Sequence, residues 1–237
     1  MTRKGSVGLV VLSGGMDSVA LLHWALPKFK SVHALCFDYG QPHRDAELTA
    51  ARIICERRGV DSTTLHIGEA VRGLMSLGVP EPGFKRGQPR VSTANLPARN
   101  AIFGSCAAAF AGRTYPGDRV SVLLGCNLDD VRGFPDCRPD FITALSRALS
   151  EANAGVCNVR VEAPWLPVSK HAIVMWAKHD PEIMRDVRDS ISCYAGTRCG
   201  VCSACILRAA AFEACGEEDG QWLPTMHGAE RKPCEPM

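Results

Sequence analysis

A glycine-rich segment, LSGGMDS, lies near the start of the chain, from Leu12 to Ser18. Two adjacent glycines permit a tight turn with outward-facing amides, and such a turn before a helix forms an anion site. The hydroxyls of Ser13 and Ser18 suit phosphate, whereas the carboxylate of Asp17 suits Mg²⁺ beside phosphate. The segment lacks the glycine spacing and lysine of a Walker sequence. It predicts another kind of phosphate loop, the alternative being an ordinary turn capped by Asp17 or Ser18.

Four of the 12 cysteines lie close together near the C-terminus, in the pattern C-x₅-C-x₂-C-x₂-C. They are Cys193, Cys199, Cys202 and Cys205. Four thiolates are the number that a closed tetrahedral Zn²⁺ site needs, so we expect structural zinc. An iron–sulfur cluster also takes four thiolates, and disulfides or a persulfide nucleophile remain open alternatives. A disulfide scaffold is typical of short secreted chains without a core, which this chain is not.

Strand and helix patterns alternate along the chain. The predicted strands cover 7–12, 31–37, 62–67, 119–125 and 159–164, and the predicted helices cover 17–26, 44–59, 98–112, 139–153 and 170–179. Gly59 is expected to end the second helix, and Ser169 to cap the helix over 170–179. This alternation predicts an α/β fold with a doubly wound parallel sheet.

The domain organisation follows from composition. We expect a catalytic domain over 1–180, a zinc-binding helical region over 181–216 and a polar, frayed tail over 217–237. Residues 68–97 are rich in Gly and Pro, and we interpret them as a long, mobile excursion over an active site.

The charge balance and the absence of targeting patterns exclude several partners. The chain has 27 Lys and Arg against 25 Asp and Glu, a formal net charge of +2 that favours neither nucleic acid nor an acidic membrane. The apolar run near the N-terminus ends in a glycine turn, which indicates a strand and not a signal peptide. No run approaches the roughly 18 apolar residues of a membrane span. We expect a soluble, cytoplasmic protein.

The motifs of this chain resemble those of a known enzyme family. SGGxDS between a strand and a helix is similar to the loop of PP-loop ATP pyrophosphatases, which have an adenine nucleotide alpha hydrolase-like fold. Further segments, in one order from about Val7 to Cys215, resemble the QueC family. They are FDYGQPHRDAELTAA (37–51), LPARNAIF (96–103), DDVRGFPDCRPDFI (129–142), LPVSKHAIV (166–174) and CILRAAAF (205–212).

The resemblance implies a reaction that nothing in the composition could specify. It implies that 7-carboxy-7-deazaguanine, ammonia and ATP are converted to 7-cyano-7-deazaguanine (preQ0) through an activated carboxylate and an activated amide. It also implies zinc on the four cysteines, Mg²⁺ with ATP and a homodimer. The segment expected to bind ATP comprises Leu12, Ser13, Gly14, Gly15, Met16, Asp17, Ser18, Val19, Ala20, Leu21 and Leu22.

Candidate roles follow for polar residues in the matching motifs. Asp17, Lys170 and Arg99 are the catalytic candidates. The carboxylate of Asp17 would hold Mg²⁺, and the cations of Lys170 and Arg99, aimed at phosphorus, would stabilise the charge that develops there. For Lys170, a solvated lysine in a first helical turn is the alternative. Asp136 could bind a purine-like base and Arg138 a carboxylate or phosphate, although a rigid turn with a salt bridge is the alternative. The substrate-binding candidates are Tyr39, Gln41, Arg99, Asn100, Asp136 and Arg138. Tyr39 could stack on a base, and packing under the loop is the alternative.

Several residues of this chain differ from the family pattern. The first two cysteines of the cluster are separated by fewer residues than is usual in the family. Ile191, Val131 and Arg132 occupy positions that usually carry other residues. We expect these differing positions to lie at the pocket. These differences place the acceptor in doubt. A QueC-like ligase of an antiphage system, which joins the deazaguanine carboxylate to a protein amine, is therefore an alternative. A non-catalytic zinc-knuckle module that binds nucleic acid is another, but it requires a basic surface. Arg208 on the last helix is a further candidate to reach inward.

Overall fold

A parallel five-stranded sheet forms the centre of the structure, a computed structural model that describes residues 6–75, 96–131, 133–200 and 202–220. The strands lie in the order β3-β2-β1-β4-β5, and each neighbouring pair is parallel. They are β1 (Ser6–Val11), β2 (Ser31–Asp38), β3 (Asp61–His66), β4 (Arg119–Leu123) and β5 (Asn158–Glu162). The five predicted strands and their parallel arrangement are confirmed.

Helices connect these strands. In the described part of the chain they are α1 (Met16–Ala25), α2 (Arg44–Arg58), α3 (Gly68–Met75), α4 (Arg99–Thr114), α5 (Pro139–Ala152), α6 (Lys170–Ala177), α7 (Pro181–Asp189) and α8 (Ser203–Ala214), with a 3-10 turn at Pro135–Cys137. Gly59 ends α2 in the left-handed conformation, as predicted. No helix in the described ranges has both the length and the apolar character needed to cross a bilayer.

One part of the helix prediction was wrong. Residues 68–75 form α3 and not an irregular excursion, because the run GEAVRGLM buries Val71 against the apolar face of the sheet. Residues 76–95 of the predicted excursion lie outside the described residues, and Leu96 after them is buried in the same apolar cluster as Val71.

Alternate side chains of β1 enter two apolar clusters on opposite faces of the sheet. Leu9 packs with residues of α4 and α5, whereas Val10 packs with residues of α1, α2, α6, α7 and α8. All six residues of β1 are buried, as expected for the central strand of a parallel sheet covered on both faces. The fold is therefore doubly wound, as predicted.

The strand order reverses between β1 and β4. The chain proceeds from β1 to β2 and β3 on one side, and only then adds β4 and β5 on the other. Open α/β sheets bind ligands at such a switch point, beyond the carboxyl ends of the strands. The loops after β1 and β4 meet there, because a Cβ atom on Gly125 would lie 3.4 Å from the backbone of Ser18. This edge of the sheet is where the candidate residues converge.

Helix α7 is held by a buried carboxylate. Asp186 is fully buried, and its side chain accepts hydrogen bonds from His23 in α1 and from Arg57 and Arg58 in α2. Burial alone would raise the pKa of Asp186, but the hydrogen bonds from His23 and the two arginines outweigh it and hold the pKa at about 2. This network fixes α7 against α1 and α2.

Arg208 in α8 has a structural role. Its guanidinium is 1% exposed and donates to the carbonyl oxygens of Val187, Arg188 and Ser190 at the end of α7. It also pairs with Asp219 at 2.8 Å. Arg208 therefore reaches inward, as predicted, but toward the end of α7, where it satisfies carbonyl groups without an intrahelical partner.

The described start of the tail is also bound to the fold. Glu217 forms ion pairs with Lys178 at 2.9 Å and with Arg188 at 2.6 Å. The prediction that the chain frays directly after Gly216 was wrong for residues 217–220, since their acidic side chains find cations on α7 and α8 and at the end of α6. Residues 221–237 lie outside the described part of the chain.

We predict that Asp186→Asn lowers the free energy of unfolding by about 3 kcal/mol at neutral pH, because it removes the buried negative charge that His23, Arg57 and Arg58 share. The folded pKa of Asp186 lies below the ordinary value, so its contribution is present above about pH 4 and is lost as pH falls toward about 2. Urea denaturation of both proteins between pH 7 and pH 3 measures the difference. A difference that does not narrow below about pH 4 would contradict the assignment.

The matched control is Glu182→Gln on the same helix. Glu182 pairs with Arg58 at 2.6 Å, but its side chain is 77% exposed. We expect this exposed pair to contribute no more than about 1 kcal/mol.

Candidate active site

The loop between β1 and α1 forms a tight turn around its serine hydroxyls. The Ser13 amide donates to Ser18 Oγ at 3.2 Å, and the Gly15 amide donates to Ser13 Oγ at 3.2 Å. Ser18 Oγ in turn donates to the Gly15 carbonyl at 2.9 Å. Helix α1 begins after Gly15 with no side-chain cap, which contradicts the alternative of a cap by Asp17 or Ser18. The positive end of α1 therefore remains available to an anion.

The other residues of the segment expected to bind ATP belong to the core. They are nearly fully buried and pack among the helices on one face of the sheet: Leu12, Met16, Val19, Ala20, Leu21 and Leu22. Any contact between these residues and a nucleotide would involve their backbone. Polar side chains of this segment occur only at Ser13, Asp17 and Ser18.

Lys170 connects the loop to helix α6. Ser169 caps this helix, as predicted, by accepting a hydrogen bond from the Ala172 amide at 3.3 Å. Lys170 Nζ donates to Asp17 Oδ2 at 2.6 Å and lies 3.5 Å from Asp130 Oδ1. The Lys170 side chain is only 13% exposed, so the alternative of a solvated lysine is wrong. The structure thus brings together two of the three predicted catalytic residues.

The charges of this cluster affect one another. Burial alone would lower the pKa of Lys170, but the carboxylates of Asp17 and Asp130 outweigh it and raise the pKa, so the ammonium group persists. Burial raises the pKa of Asp130, Lys170 lowers it and the charge of Asp17 raises it again. One cation therefore serves two buried carboxylates.

The same carboxylates fit a divalent cation. Asp17 Oδ1 is buried and has no hydrogen-bond partner among the described residues, while Oδ2 is held only by Lys170. Carboxylate oxygens beside a phosphate site are the ligands that Mg²⁺ prefers. Asp17 and Asp130 could therefore hold Mg²⁺ once Lys170 turns toward a phosphate group.

Arg99 begins helix α4 directly after a strained residue. Ala98 has φ +53°, and it is the one non-glycine residue with positive φ in the described ranges. Such a conformation costs about 1–2 kcal/mol and is retained at positions where the surrounding structure requires it. Arg99 Nη1 donates to the Tyr39 hydroxyl at 3.3 Å, and the Tyr39 ring packs on Phe103. Arg99 thus lies near the carboxyl end of β2, and its hydrogen bond among the described residues is with Tyr39 and not with a group beside Lys170.

Asn100 and Asp136 contact each other. The Asn100 amide donates to Asp136 Oδ2 at 2.9 Å, so Asp136 satisfies a free amide at the start of α4. The Asn100 side chain donates to the Asp136 carbonyl at 3.1 Å and lies within 3.4 Å of the sulfurs of Cys126 and Cys137. Arg138 begins α5 and is exposed. A substrate contact by these residues stays a prediction.

Tyr39 and Gln41 are buried within the loop after β2. Each is 4% exposed. Gln41 Oε1 accepts from the Tyr39 amide at 3.0 Å, and Gln41 Nε2 donates to the Phe37 carbonyl and to Glu47 Oε2, each at 3.1 Å. The oxygen and the nitrogen of the Gln41 side-chain amide therefore both form hydrogen bonds within the protein. A substrate contact by Tyr39 or Gln41 stays a prediction.

The difference of Ile191 from the family pattern suggested a position at the pocket, but its side chain lies in the core. It is 4% exposed and packs with Ala46 and Ala50 of α2. Its amide donates to the Gly14 carbonyl at 2.8 Å. Val131 is partly exposed, and Arg132 lies outside the described residues.

The four predicted metal ligands converge. The sulfurs of Cys193, Cys199, Cys202 and Cys205 all lie within 4.8 Å of one another. The backbone amides of Ala195 and Cys202 approach the Cys193 and Cys199 sulfurs at 3.4 Å, a contact that favours thiolates. The donor set and its spacing fit a single metal ion held by four thiolates.

Three polar residues near the site were not found by sequence reasoning. Asp130 and Asn127 follow β4, and the Asn127 amide donates to Asp130 Oδ2 at 3.2 Å. Glu47 lies on α2, and the sequence pattern alone predicts a solvent-exposed helix residue there. The only signal for Asp130 was its place in the acidic pair of DDVRGFPD after a predicted strand.

Comparisons with known proteins identify related sequences. A family model described as Queuosine biosynthesis protein QueC matches residues 7–216. The chain is 35% identical to the 7-cyano-7-deazaguanine synthase of Psychrobacter cryohalolentis, with 92% of this chain and 89% of the relative covered. It is 37% identical to the protein of the same name from Laribacter hongkongensis, with 92% and 94% covered.

A solved structure has the same fold. The U34-tRNA thiolase NcsA of Methanococcus maripaludis superposes with a TM-score of 0.51 at 15% identity, over 89% of this chain and 65% of that one. At this identity the likeness concerns the PP-loop-type fold alone. From the match of the family model over most of the chain and the identity to curated relatives, this chain belongs to the QueC family.

Proposed function

We propose that this chain is a 7-cyano-7-deazaguanine synthase, which makes the nitrile from 7-carboxy-7-deazaguanine, ammonia and ATP. The observation that carries the proposal is that relatives with this name cover 92% of the chain. The buried Lys170–Asp17 pair at the phosphate loop supports it, because it places a cation where ATP would react.

The chemistry explains why ATP is needed twice. A carboxylate resists attack by ammonia because its leaving group would be oxide, so its oxygen is first joined to a phosphoryl or adenylyl group. Ammonia then displaces that group and gives an amide. A second activation converts the amide oxygen into a leaving group, and its departure with loss of protons forms the carbon–nitrogen triple bond. One activating site suffices for both rounds.

The residues of the loop would carry out the activation. The first turn of α1 and the hydroxyls of Ser13 and Ser18 would bind the phosphates of ATP. Lys170 and Arg99 would stabilise the negative charge that develops at phosphorus. Mg²⁺, when bound by Asp17 and Asp130, would neutralise charge on the phosphates of ATP.

The substrate would lie between the carboxyl ends of β1 and β4. Asp136 retains one carboxylate oxygen with no recorded hydrogen bond from the described residues, which suits the amidine edge of a purine-like base. Asn100 lies beside it, and the exposed guanidinium of Arg138 suits a carboxylate or phosphate. We further propose that the protein is a homodimer with small-molecule substrates, which light scattering of the purified protein would test.

The metal held by the four cysteines would be zinc in a structural role. Four thiolates about 2.3 Å from a zinc ion have sulfurs about 3.8 Å apart. The sulfurs of Cys199 and Cys205 lie 4.0 Å apart, as do those of Cys202 and Cys193. An iron–sulfur cube would separate its thiolates further, because iron and sulfide ions lie between them.

A product assay tests the proposed reaction. The zinc-loaded protein, incubated with 7-carboxy-7-deazaguanine, ATP, Mg²⁺ and ammonium, is expected to release 7-cyano-7-deazaguanine, detected by mass spectrometry. Without ammonium, no nitrile should form. If the folded protein activates the acid and releases no nitrile with ammonium, but modifies a partner protein by the mass of the acyl group, the acceptor is a protein amine and the proposal is wrong.

We predict that Lys170→Met lowers the turnover number for nitrile formation by about 10²- to 10³-fold, with a smaller effect on ATP affinity, because the cation acts on charge that develops during the reaction. Steady-state kinetics and calorimetric titration with ATP measure the two effects. Lys178→Met is the matched control, since its 43% exposed side chain pairs with Glu217 at the surface. A Lys170→Met protein within about tenfold of the unaltered protein would contradict this role.

We predict that Cys199→Ser releases the metal and lowers the midpoint of thermal unfolding by roughly 5 °C or more, because metal binding contributes to folding free energy. Inductively coupled plasma mass spectrometry of the unaltered protein should find one zinc ion per chain. Cys106→Ser in α4 is the control, and it should retain zinc. An iron content matching four atoms per chain, with a brown colour, would refute zinc.

A further inference from the structure

We propose that Glu47 is the base that removes protons from the nitrogen nucleophile, and that Gln41 and His43 position its carboxylate. The inference rests on the proposed function, because it concerns the nitrogen that becomes the nitrile.

Glu47 lies directly beside the phosphate loop. Helix α2 begins just after β2 at the carboxyl edge of the sheet, and Glu47 is in its first turn. The backbone of Glu47 packs so tightly on Gly14 that a Cβ atom there would lie 2.4 Å from the Glu47 carbonyl oxygen. The residue is therefore next to the loop that we propose to bind the phosphates of ATP.

The Glu47 carboxylate is fixed at one oxygen and accessible at the other. Oε2 accepts a hydrogen bond from Gln41 Nε2 at 3.1 Å, and Gln41 itself is held by backbone groups of the β2 loop. Oε1 lies 3.5 Å from His43 Nε2, and this is its one recorded polar contact in the described ranges. The side chain of Glu47 remains 16% exposed, so it is not sealed inside the protein.

A buried carboxylate with a purely structural role normally has a permanent cation bonded to it. Glu47 forms its short-range contact with His43 instead, whose side chain is 5% exposed. Burial and then the charge of Arg99 lower the pKa of His43 to about 4, so the imidazole is neutral at pH 7. The charge of Glu47 is not cancelled by this partner.

The electrostatics of the site suit a base. Burial raises the pKa of Glu47 to about 7, although the hydrogen bond from Gln41 and the charge of Arg99 oppose this. A group with a pKa near the working pH is efficient in both accepting and releasing a proton. Arg99, a catalytic candidate, is near enough for its charge to lower the pKa of Glu47.

The proposed reaction requires such a group in both rounds. Nitrogen enters as ammonium and leaves as a nitrile without hydrogen. In the first round the carbon–nitrogen bond forms, the bond from carbon to the activating oxygen breaks, and the electron pair leaves with the phosphate group. In the second round the amide loses its N–H protons as the remaining carbon–oxygen bond breaks. Each proton passes to Glu47 Oε1 and then to water, and nothing is oxidised or reduced.

Hydroxylamine provides a selective test. It is largely unprotonated near neutral pH, whereas ammonia is nearly all ammonium, so hydroxylamine depends much less on a base to become a nucleophile. With the carboxylic acid and ATP, it should give a hydroxamate. Glu47→Gln keeps the shape of the side chain and an oxygen that can accept from Gln41.

We expect Glu47→Gln to lower ammonia-dependent nitrile formation by about 10²- to 10³-fold, and hydroxamate formation by less than about tenfold. Glu56→Gln on the same helix is the matched control, because its exposed side chain pairs only with Arg52 in the recorded contacts. It should leave both rates unchanged. Initial rates of the two products, measured by mass spectrometry at one pH, provide the comparison.

A second variant keeps the test decisive if Glu47→Gln does not fold. Glu47→Asp retains a carboxylate but withdraws it by one methylene, and it too should lower nitrile formation more than hydroxamate formation. Thermal unfolding of each variant is measured alongside. If the ratio of the two products equals that of the unaltered protein in every folded variant, Glu47 is not the base. If the unaltered protein forms neither product, the proposed function itself is wrong.

Discussion

The site depends on how closely the loop after β1 approaches its neighbours at Gly14. A Cβ atom there would lie 2.4 Å from the carbonyl oxygen of Glu47, and the backbone has φ +81°, so only glycine fits without strain. The Gly14 carbonyl also accepts a hydrogen bond from the Ile191 amide, two residues before Cys193. One residue thus joins the phosphate loop, helix α2 and the segment that leads into the cysteine cluster. A metal that fixes Cys193 would thereby restrict the loop without taking part in the reaction.

The buried ion pair between Lys170 and Asp17 is better explained by chemistry than by stability. Removing both charges from water costs about as much as their attraction returns, so such a pair contributes little to the net free energy of folding. Its two carboxylates and one cation lie at the switch point of the sheet, where ligands bind. Without a nucleotide, the carboxylates hold the lysine in place. A phosphate group would compete for the same cation, while a divalent cation would compete for the carboxylates.

The sequence predicted those parts of the structure that depend on periodicity and local spacing. The continuous apolar run of β1 and the short loops between the four cysteines each have one simple structural solution. Helix α7 was predicted only as part of a helical region over 181–216. Its buried residues are Met184, Asp186 and Val187, and the charge of Asp186 interrupts the apolar pattern because a charge normally indicates a solvated face. The surroundings of Ile191 and the partners of Arg208 were not predicted for a related reason. Their surroundings come from α2 and α7, which are distant in sequence, and no local pattern encodes these contacts.

Glu47 could not be found from the sequence because its partners give it its chemistry. On a helix it resembles any exposed acid, and only the fold places it against Gly14 and Gln41. The separation of Glu47 from Lys170 matters as much, because the two side chains have different partners among the described residues. A carboxylate bonded directly to a buried ammonium group binds a proton weakly, because the cation favours the charged form. A site that must stabilise negative phosphate and also accept protons from nitrogen therefore needs its cation and its base on different elements. Here Lys170 begins α6 and contacts Asp17 in the first turn of α1, whereas Glu47 lies on α2 and its backbone contacts Gly14 in the loop after β1.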